Sequence, residues 1–224
     1  GLQIHFAEQA HPNGLPEAFV IGEKFINNEP VCLVLGDNLF FGDSLTRRLK
    51  EAATFKGATV FAYFVQNPSR YGVIEFDKEM KVLSIEEKPE KPKSKYAIPG
   101  CYFFDEKVCH LAKSLKPSVR GETEITDLIK AYLLKDCLNV VKLGRGIAWL
   151  DTGTNESLLD AANFISTIEK RQGLKVACLE EIAYRRGWIG IKEISEIAQK
   201  MGKSAYGDYL RWLLDFGDIE QTSR

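Results

Sequence analysis

The sequence predicts a three-layer α/β sandwich with a mixed, mainly parallel sheet, followed by a helical C-terminal appendix. Three observations lead there. Short runs rich in β-branched and aromatic residues alternate with segments of helical period up to about residue 155, the pattern of a sheet with helices on its faces. Beyond that point only helical patterns continue. A chain of 224 residues, 45% hydrophobic and 27% charged, is of ordinary globular composition. At this length about 70% of the unfolded surface can be buried without disulfides or structural metals. The expected domains are therefore residues 1–154, α/β, and residues 155–224, helical.

In chain order, Leu2-Gln3-Ile4-His5-Phe6 alternates like a strand and Leu15–Phe25 has helical period. Cys32-Leu33-Val34-Leu35 is a continuous apolar run closed by Gly36-Asp37-Asn38, as expected of a fully buried parallel strand ending in a turn. Ser44–Ala53 is helical, and Thr59–Val65 is a second buried strand. Gly72–Phe76 and Val82–Glu86 flank the turn-like Asp77-Lys78-Glu79 and predict a hairpin. A strand over Tyr96–Phe104 precedes a helix over Lys107–Leu115. In the next helix, Glu124–Leu134, the residues Ile125, Leu128, Ile129, Tyr132 and Leu133 make one face core. Asn139–Leu143 is the last strand. Glu156–Gln172 then ends at Gly173, a plausible helix stop, and shorter helices follow over Glu180–Arg186, from Ile191 to Met201, and over Tyr206–Leu214. The polar stretch Asp215–Arg224 is expected to fray.

Thirty Lys+Arg against 31 Asp+Glu give a net charge of −1, and the pI is near 6.4. No basic field is available to coat a polymeric nucleic acid, although monomeric nucleotides remain possible ligands. No signal-like or transmembrane run is present, so no membrane partner is expected. The five cysteines, Cys32, Cys101, Cys109, Cys137 and Cys178, are odd in number and form no C-x-x-C pair, which reads as reduced core thiols of a cytoplasmic protein.

Ligands of open α/β sheets collect beyond strand ends, which directs attention to Asp37 after Leu33-Val34-Leu35-Gly36 and to Asp151 after Trp149-Leu150. Two carboxylates at strand-to-helix junctions could hold Mg²⁺ together with substrate phosphates. The same residues would also serve as turn formers or as caps, Asp37 near Ser44 and Asp151 or Thr154 before Glu156. Glu86-Glu87-Lys88-Pro89 joins an acceptor for sugar hydroxyls to a point charge for phosphate, or is a solvated turn. Arg70-Tyr71-Gly72 adds a base, an aromatic and a glycine. In Gln9-Ala10-His11-Pro12-Asn13-Gly14-Leu15, exposed N–H groups and one amide could read a base edge or simply make a turn.

Together these strings resemble the sugar-1-phosphate nucleotidylyltransferases, and among them the short glucose-1-phosphate thymidylyltransferases of dTDP-rhamnose synthesis. The matching strings are Leu35-Gly36-Asp37-Asn38-Leu39-Phe40-Phe41-Gly42, Ala58-Thr59-Val60-Phe61-Ala62-Tyr63, Arg70-Tyr71-Gly72-Val73, Glu86-Glu87-Lys88-Pro89, Arg120-Gly121-Glu122, Gly146-Ile147-Ala148-Trp149-Leu150-Asp151-Thr152-Gly153-Thr154 and Arg171-Gln172-Gly173-Leu174-Lys175-Val176. The resemblance implies a Rossmann-like nucleotidyltransferase fold and attack of glucose 1-phosphate on the α-phosphorus of dTTP, giving dTDP-glucose and pyrophosphate. It implies that Asp37 and Asp151 hold the catalytic Mg²⁺ and that Lys88 is catalytic. Gln9 and Gly14 would contact thymine, and Gly72, Glu87, Lys88 and Ile98 would line the glucose-phosphate pocket, with Trp149 supporting the metal aspartate. Ile98 stands where the family usually has Val.

The appendix likewise resembles that of homotetrameric members with a regulatory nucleotide site, at which Gly42, Gly144, Arg145, Glu181, Ile182 and Arg185 would fall. Asp43 replaces the family's common His there, so feedback inhibition by a dTDP-sugar is expected to be weaker than in an Asp43→His variant. The family's Gly-rich triphosphate loop, with its Gly-Thr-Arg-Leu ending, does not occur in these 224 residues. The expectation is a chain aligned from a point beyond that loop, as if the first quarter were removed and an apolar sheet edge exposed. Two alternatives accompany this reading: a relative using UTP or ATP, and a truncated, non-catalytic sugar-nucleotide-binding subunit.

Overall fold

A computed structural model describes residues 2–216, which form two compact units, residues 5–158 and residues 159–216 with 2–4. In the first unit the chain runs α1 (Glu17–Ile21), α2 (Glu23–Ile26), β1 (Val31–Val34), β2 (Asn38–Gly42), α3 (Leu45–Ala52) and β3 (Ala58–Phe64). It continues through β4 (Gly72–Phe76), β5 (Val82–Glu87), β6 (Tyr96–Ala97), β7 (Cys101–Phe104), α4 (Val108–Ser114), α5 (Ile125–Leu133), β8 (Leu138–Leu143) and β9 (Ile147–Asp151). The expected helix Leu15–Phe25 is split at Gly22, where Gly22 N–H closes α1 on Ala18 O.

A seven-stranded sheet has the order β1-β7-β3-β6-β4-β5, with β8 also paired to β3. The α/β class holds and the sheet is mixed. Its pairing corrects the mainly parallel expectation, because among the described strands only β3 and β8 are parallel. An apolar run reports burial, not strand direction. Here Pro99-Gly100 breaks the expected strand Tyr96–Phe104 into β6 and β7, both antiparallel to β3.

Strand β1 is likewise not fully buried. It stands at the margin of the sheet order, with Leu33 packed on the core while Cys32 and Val34 are exposed, Val34 at 55%. Residues Leu2 to Phe6 form no strand, and Leu2, Ile4 and Phe6 are 76%, 70% and 94% exposed. Alternation has no effect without a neighbouring strand to complete its hydrogen bonds. Strands β2 and β9 form a separate antiparallel ribbon, Asn38 opposite Asp151 and Gly42 opposite Ile147. No side chain fits at Gly42, where a Cβ would lie 2.3 Å from Gly146 O.

Two cores flank the sheet. Val60 and Ala62 of β3 pack with Phe19 of α1, Val108 of α4 and Leu128, Ile129 and Tyr132 of α5. Phe61 and Leu143 pack with Ala52 of α3 and Ile147 of the ribbon. This alternation along β3 makes the third layer. The Tyr132 hydroxyl, fully buried, donates to Asp105 Oδ1 at 2.7 Å, and burial together with this carboxylate pushes its pKa well above the tyrosine range. Tyr132→Phe leaves Asp105 without that donor and is expected to lower the unfolding free energy by ~1 to 2 kcal/mol in urea titration. An unchanged midpoint would show the bond to be dispensable.

The second unit contains most of α6 (Asn155–Gln172), then α7 (Leu179–Arg185), α8 (Ile191–Lys200) and α9 (Ala205–Phe216). Ile194 and Ala198 of α8 pack on Tyr209, Leu210 and Leu213 of α9 and on Cys178. Glu169 accepts from Lys175 Nζ and from Val176 N–H, fastening the turn after α6; the lysine contact is the main reason its carboxyl sits below the usual range. Helix α9 continues through Asp215 and Phe216, whereas the rest of the expected frayed tail, residues 217–224, lies outside the described residues. All five cysteines are free; Cys101, Cys109 and Cys178 are buried, and Cys32 is exposed where a core thiol was expected. Among the described residues no helix is long and apolar enough to cross a membrane.

Candidate active site

The reversal from β1 into β2 carries Asp37, so this residue stands between two strands, not at the strand-to-helix junction expected. It caps no helix. Asn38 Nδ2 donates to Asp37 Oδ1 at 2.7 Å, while Asn38 Oδ1 accepts from Gly100 N–H at 2.9 Å and from Trp149 Nε1 at 2.6 Å. Because a backbone amide and an indole can only donate here, the Asn38 amide has one permitted orientation. It fixes Asp37 from one side and uses the Trp149 ring as anchor. The Asp37 backbone oxygen accepts from Thr152 N–H at 2.8 Å and from its hydroxyl at 3.0 Å, tying the turn to the end of β9.

Asp151 ends β9. The Tyr71 hydroxyl donates to its Oδ2 at 2.5 Å, Gly153 N–H donates to its Oδ1 at 2.9 Å, and Arg70 Nη2 lies 3.8 Å from Oδ2. Burial by itself would raise the Asp151 pKa, but Tyr71, Gly153 and Arg70 outweigh it and hold the carboxyl below its usual value. The Tyr71 hydroxyl is correspondingly pushed up to about 12 by burial and by this carboxylate. The capping role falls instead to Thr154, whose Oγ1 accepts from Ser157 N–H at 3.1 Å.

The hairpin β4–β5 supplies the opposite wall. Its register sets Gly72 against Glu87, and Lys88 N–H then bonds Tyr71 O at 3.0 Å with Lys88 at φ +40°, an uncommon conformation for a side-chain-bearing residue. Ile98 N–H bonds Gly72 O at 2.8 Å. Burial raises the Glu87 pKa; the Thr126 hydroxyl nearby and the charges of Lys88 and Arg120, whose Nη1 is 3.7 Å from Glu87 Oε1, oppose this. Glu87 Oε2 and Thr126 Oγ1 are buried, and neither has a hydrogen bond of acceptable geometry. A Cβ at Gly72 would sit 2.8 Å from Thr126 Cγ2 and 3.6 Å from Glu87 Oε2, so glycine is what lets the strand pass this close to both side chains.

A cavity of about 240 Å³ gathers these groups: Asp37, Gly72, Glu87, Lys88, Ile98, Trp149 and Asp151, all singled out from the sequence, line it. Gln9 and Gly14 do not line it, although the adjoining Leu15 does. Of the six positions assigned to a regulatory site, Gly42 lies at the end of the ribbon near the β8–β9 turn, which holds Gly144 and Arg145. Glu181, Ile182 and Arg185 lie on α7 of the other unit, where Arg185 Nε donates to Glu181 Oε1 at 2.8 Å and Tyr209 Oη to Oε2 at 2.5 Å. Asn38, Tyr71, Arg70, Arg120 and Thr126 were not assigned to the site from the sequence. Arg70, Tyr71 and Arg120 stood in its motif strings as a weak signal, and Thr126 gave none.

The donor set suits a hard cation. A Cβ built on Gly153 would lie 3.1 Å from Asp151 Oδ1 and 3.8 Å from Asp37 Oδ2, so both carboxylates border one space that glycine leaves open. Two carboxylate oxygens with room for phosphate and water are what Mg²⁺ accepts.

Comparison with known proteins gives the same direction. The nucleotidyl transferase family matches residues 1–168. A glucose-1-phosphate thymidylyltransferase of Neisseria meningitidis is 54% identical over 215 residues, covering 96% of this chain and 75% of the relative. A crystal structure described as a glucose-1-phosphate thymidylyltransferase of Bacillus anthracis in complex with sucrose is 38% identical, with TM-score 0.60, over 68% of this chain and 61% of that one. A UDP-glucose pyrophosphorylase complexed with UDP-glucose, at 24% identity and TM-score 0.61 over 73% of this chain and 66% of its own, shares the fold. Because the family matches most of the chain and 54% of 215 aligned residues are identical to such a relative, the chain belongs to the nucleotidyl transferase family, among the glucose-1-phosphate thymidylyltransferases.

Proposed function

We propose that the protein transfers a thymidylyl group from dTTP to glucose 1-phosphate, with Mg²⁺ as cofactor, forming dTDP-glucose for dTDP-rhamnose synthesis. The observation that carries this reading is the cavity itself, with the carboxylates of Asp37 and Asp151 at one side and Gly72, Glu87 and Lys88 at the other. The Glu87 carboxylate would accept from a sugar hydroxyl. Lys88 would neutralise the sugar phosphate as a point charge. Asp37 and Asp151 would hold Mg²⁺, which supplies charge neutralisation at the phosphates when bound. An oxygen of the sugar phosphate attacks the α-phosphorus, the bond to the β-phosphate breaks, and pyrophosphate leaves with its electron pair. Holding the two phosphates in line is the main work left to the protein.

Gln9 and Gly14 would meet the thymine, and Trp149 supports the metal side through Asn38. The reading extends to a cytoplasmic homotetramer with a second, regulatory nucleotide site, weakened by Asp43. The test is product analysis with the complete open-reading-frame product, glucose 1-phosphate and Mg²⁺. dTDP-glucose and pyrophosphate are expected from dTTP. Preference for UTP or ATP would replace the donor, and binding of dTDP-glucose without pyrophosphate release would make the protein a non-catalytic binding subunit.

A further inference from the structure

The loop before α1 is ordered by Glu17, a side chain that no part of the proposed chemistry uses. Gln9 Nε2 donates to Gly14 O at 3.1 Å and to Glu17 Oε2 at 2.6 Å, and Asn13 Nδ2 donates to Glu17 Oε1 at 3.0 Å. Asn13 O in turn accepts from Thr123 N–H at 2.7 Å and from the Thr123 hydroxyl at 2.8 Å. The loop is thus pinned to the segment before α5, and its last residue, Leu15, lines the cavity.

This arrangement settles the orientation of the Gln9 amide. A backbone carbonyl and a carboxylate only accept, so the nitrogen must face them, and both of its N–H groups are used. What Gln9 retains for a ligand is Oε1, an acceptor. The Asn13 and Gln9 contacts also lower the Glu17 pKa, so Glu17 stays a carboxylate that cannot donate back.

We propose that Glu17 is a positioning residue for base selection, holding Gln9 with Oε1 presented so that the site takes 4-oxopyrimidines over 4-aminopyrimidines. Thymine and uracil carry a donor at N3 that Oε1 can accept. Cytosine has a lone pair there and would face Oε1 as acceptor against acceptor; it would be read only if the amide turned over, which Glu17 opposes. The inference rests on the nucleotide-donor reading above and on Gln9 meeting the base. It adds what that reading lacks, a reason in this chain for one amide orientation.

The test compares kcat/KM for dTTP, UTP and dCTP at saturating glucose 1-phosphate in the complete open-reading-frame product and its Glu17→Leu and Glu17→Gln variants. Glu17 lies at the surface, so the variants are expected to fold. Glu17→Leu is expected to raise the KM for dTTP and to lower the dTTP-to-dCTP ratio about tenfold, the worth of one hydrogen bond. The dTTP-to-UTP ratio and the KM for glucose 1-phosphate stay as they were, because both bases carry N3–H and the sugar site is elsewhere. Glu17→Gln keeps an acceptor oxygen and recovers most of the ratio. An unchanged dTTP-to-dCTP ratio in Glu17→Leu overturns the inference, as does an equal loss for all three nucleotides. A wild-type protein that makes no nucleotide sugar defeats the underlying reading instead.

Discussion

Asp37→Asn is expected to lower kcat for thymidylyl transfer about a thousandfold, since a bound metal contributes several kcal/mol and each 1.4 kcal/mol is about a factor of ten. The expectation follows from how the side chain is held. Asn38 Nδ2 occupies Asp37 Oδ1, and Asp37 Oδ2 borders the space shared with Asp151. In the variant the remaining oxygen turns to Asn38, which can only donate there, and the new NH₂ group is presented where a cation would sit. The fold is untouched, because the backbone oxygen of residue 37 still accepts from Thr152. A titration with Mn²⁺ should show weakened binding alongside the lost turnover, at an unchanged thermal midpoint. Chelation with EDTA should stop the wild-type protein in the same way. Turnover within tenfold of wild type would reduce Asp37 to a turn residue.

Much of this architecture was legible in the sequence, for physical reasons that differ between elements. Helix α5 could be placed because Ile125, Leu128, Ile129 and Tyr132 recur at helical spacing and are all buried. The β4–β5 hairpin could be placed because its turn is polar and short. Strand direction was not legible, since Val60 and Tyr102 would be apolar in either orientation. The β2–β9 ribbon was hidden for another reason: each residue from Asn38 to Gly42 is half-buried, which leaves no alternation to read.

The site divides in the same manner. Asp37, Glu87, Lys88 and Asp151 lie in motif strings, and the fold brings them to one cavity. Asn38 could not be assigned, because its role depends on Gly100 and Trp149 arriving from two other strands. Tyr71 depends on Asp151 in the same way. Polar groups that act through partners distant in sequence leave no periodic signal.

Gly14→Ala is expected to detach the loop of residues 9–15, which the proposed function sets against the base. Gly14 has φ +107°, and a Cβ there would lie 1.9 Å from Thr123 O and 2.8 Å from Thr123 N and C. These are backbone atoms, so no rotamer relieves the clash, and the conformation is disfavoured for any side-chain-bearing residue. The loop must lift, losing the two Thr123 bonds to Asn13 O and displacing the Gly14 carbonyl from Gln9. Backbone strain and the lost bonds together should cost ~2 to 4 kcal/mol of stability, with the KM for dTTP rising at least about tenfold as Gln9 loses its support. Gly121→Ala separates the two causes. Gly121 also has a positive φ, +81°, but no atom lies within 4 Å of its missing Cβ, so only strain is added there, at about 1 kcal/mol. If both variants lose stability equally and the KM for dTTP does not move in Gly14→Ala, contact with Thr123 is not what holds the loop. A rise in KM confined to Gly14→Ala would assign the loop's shape to the close approach of these two backbone segments.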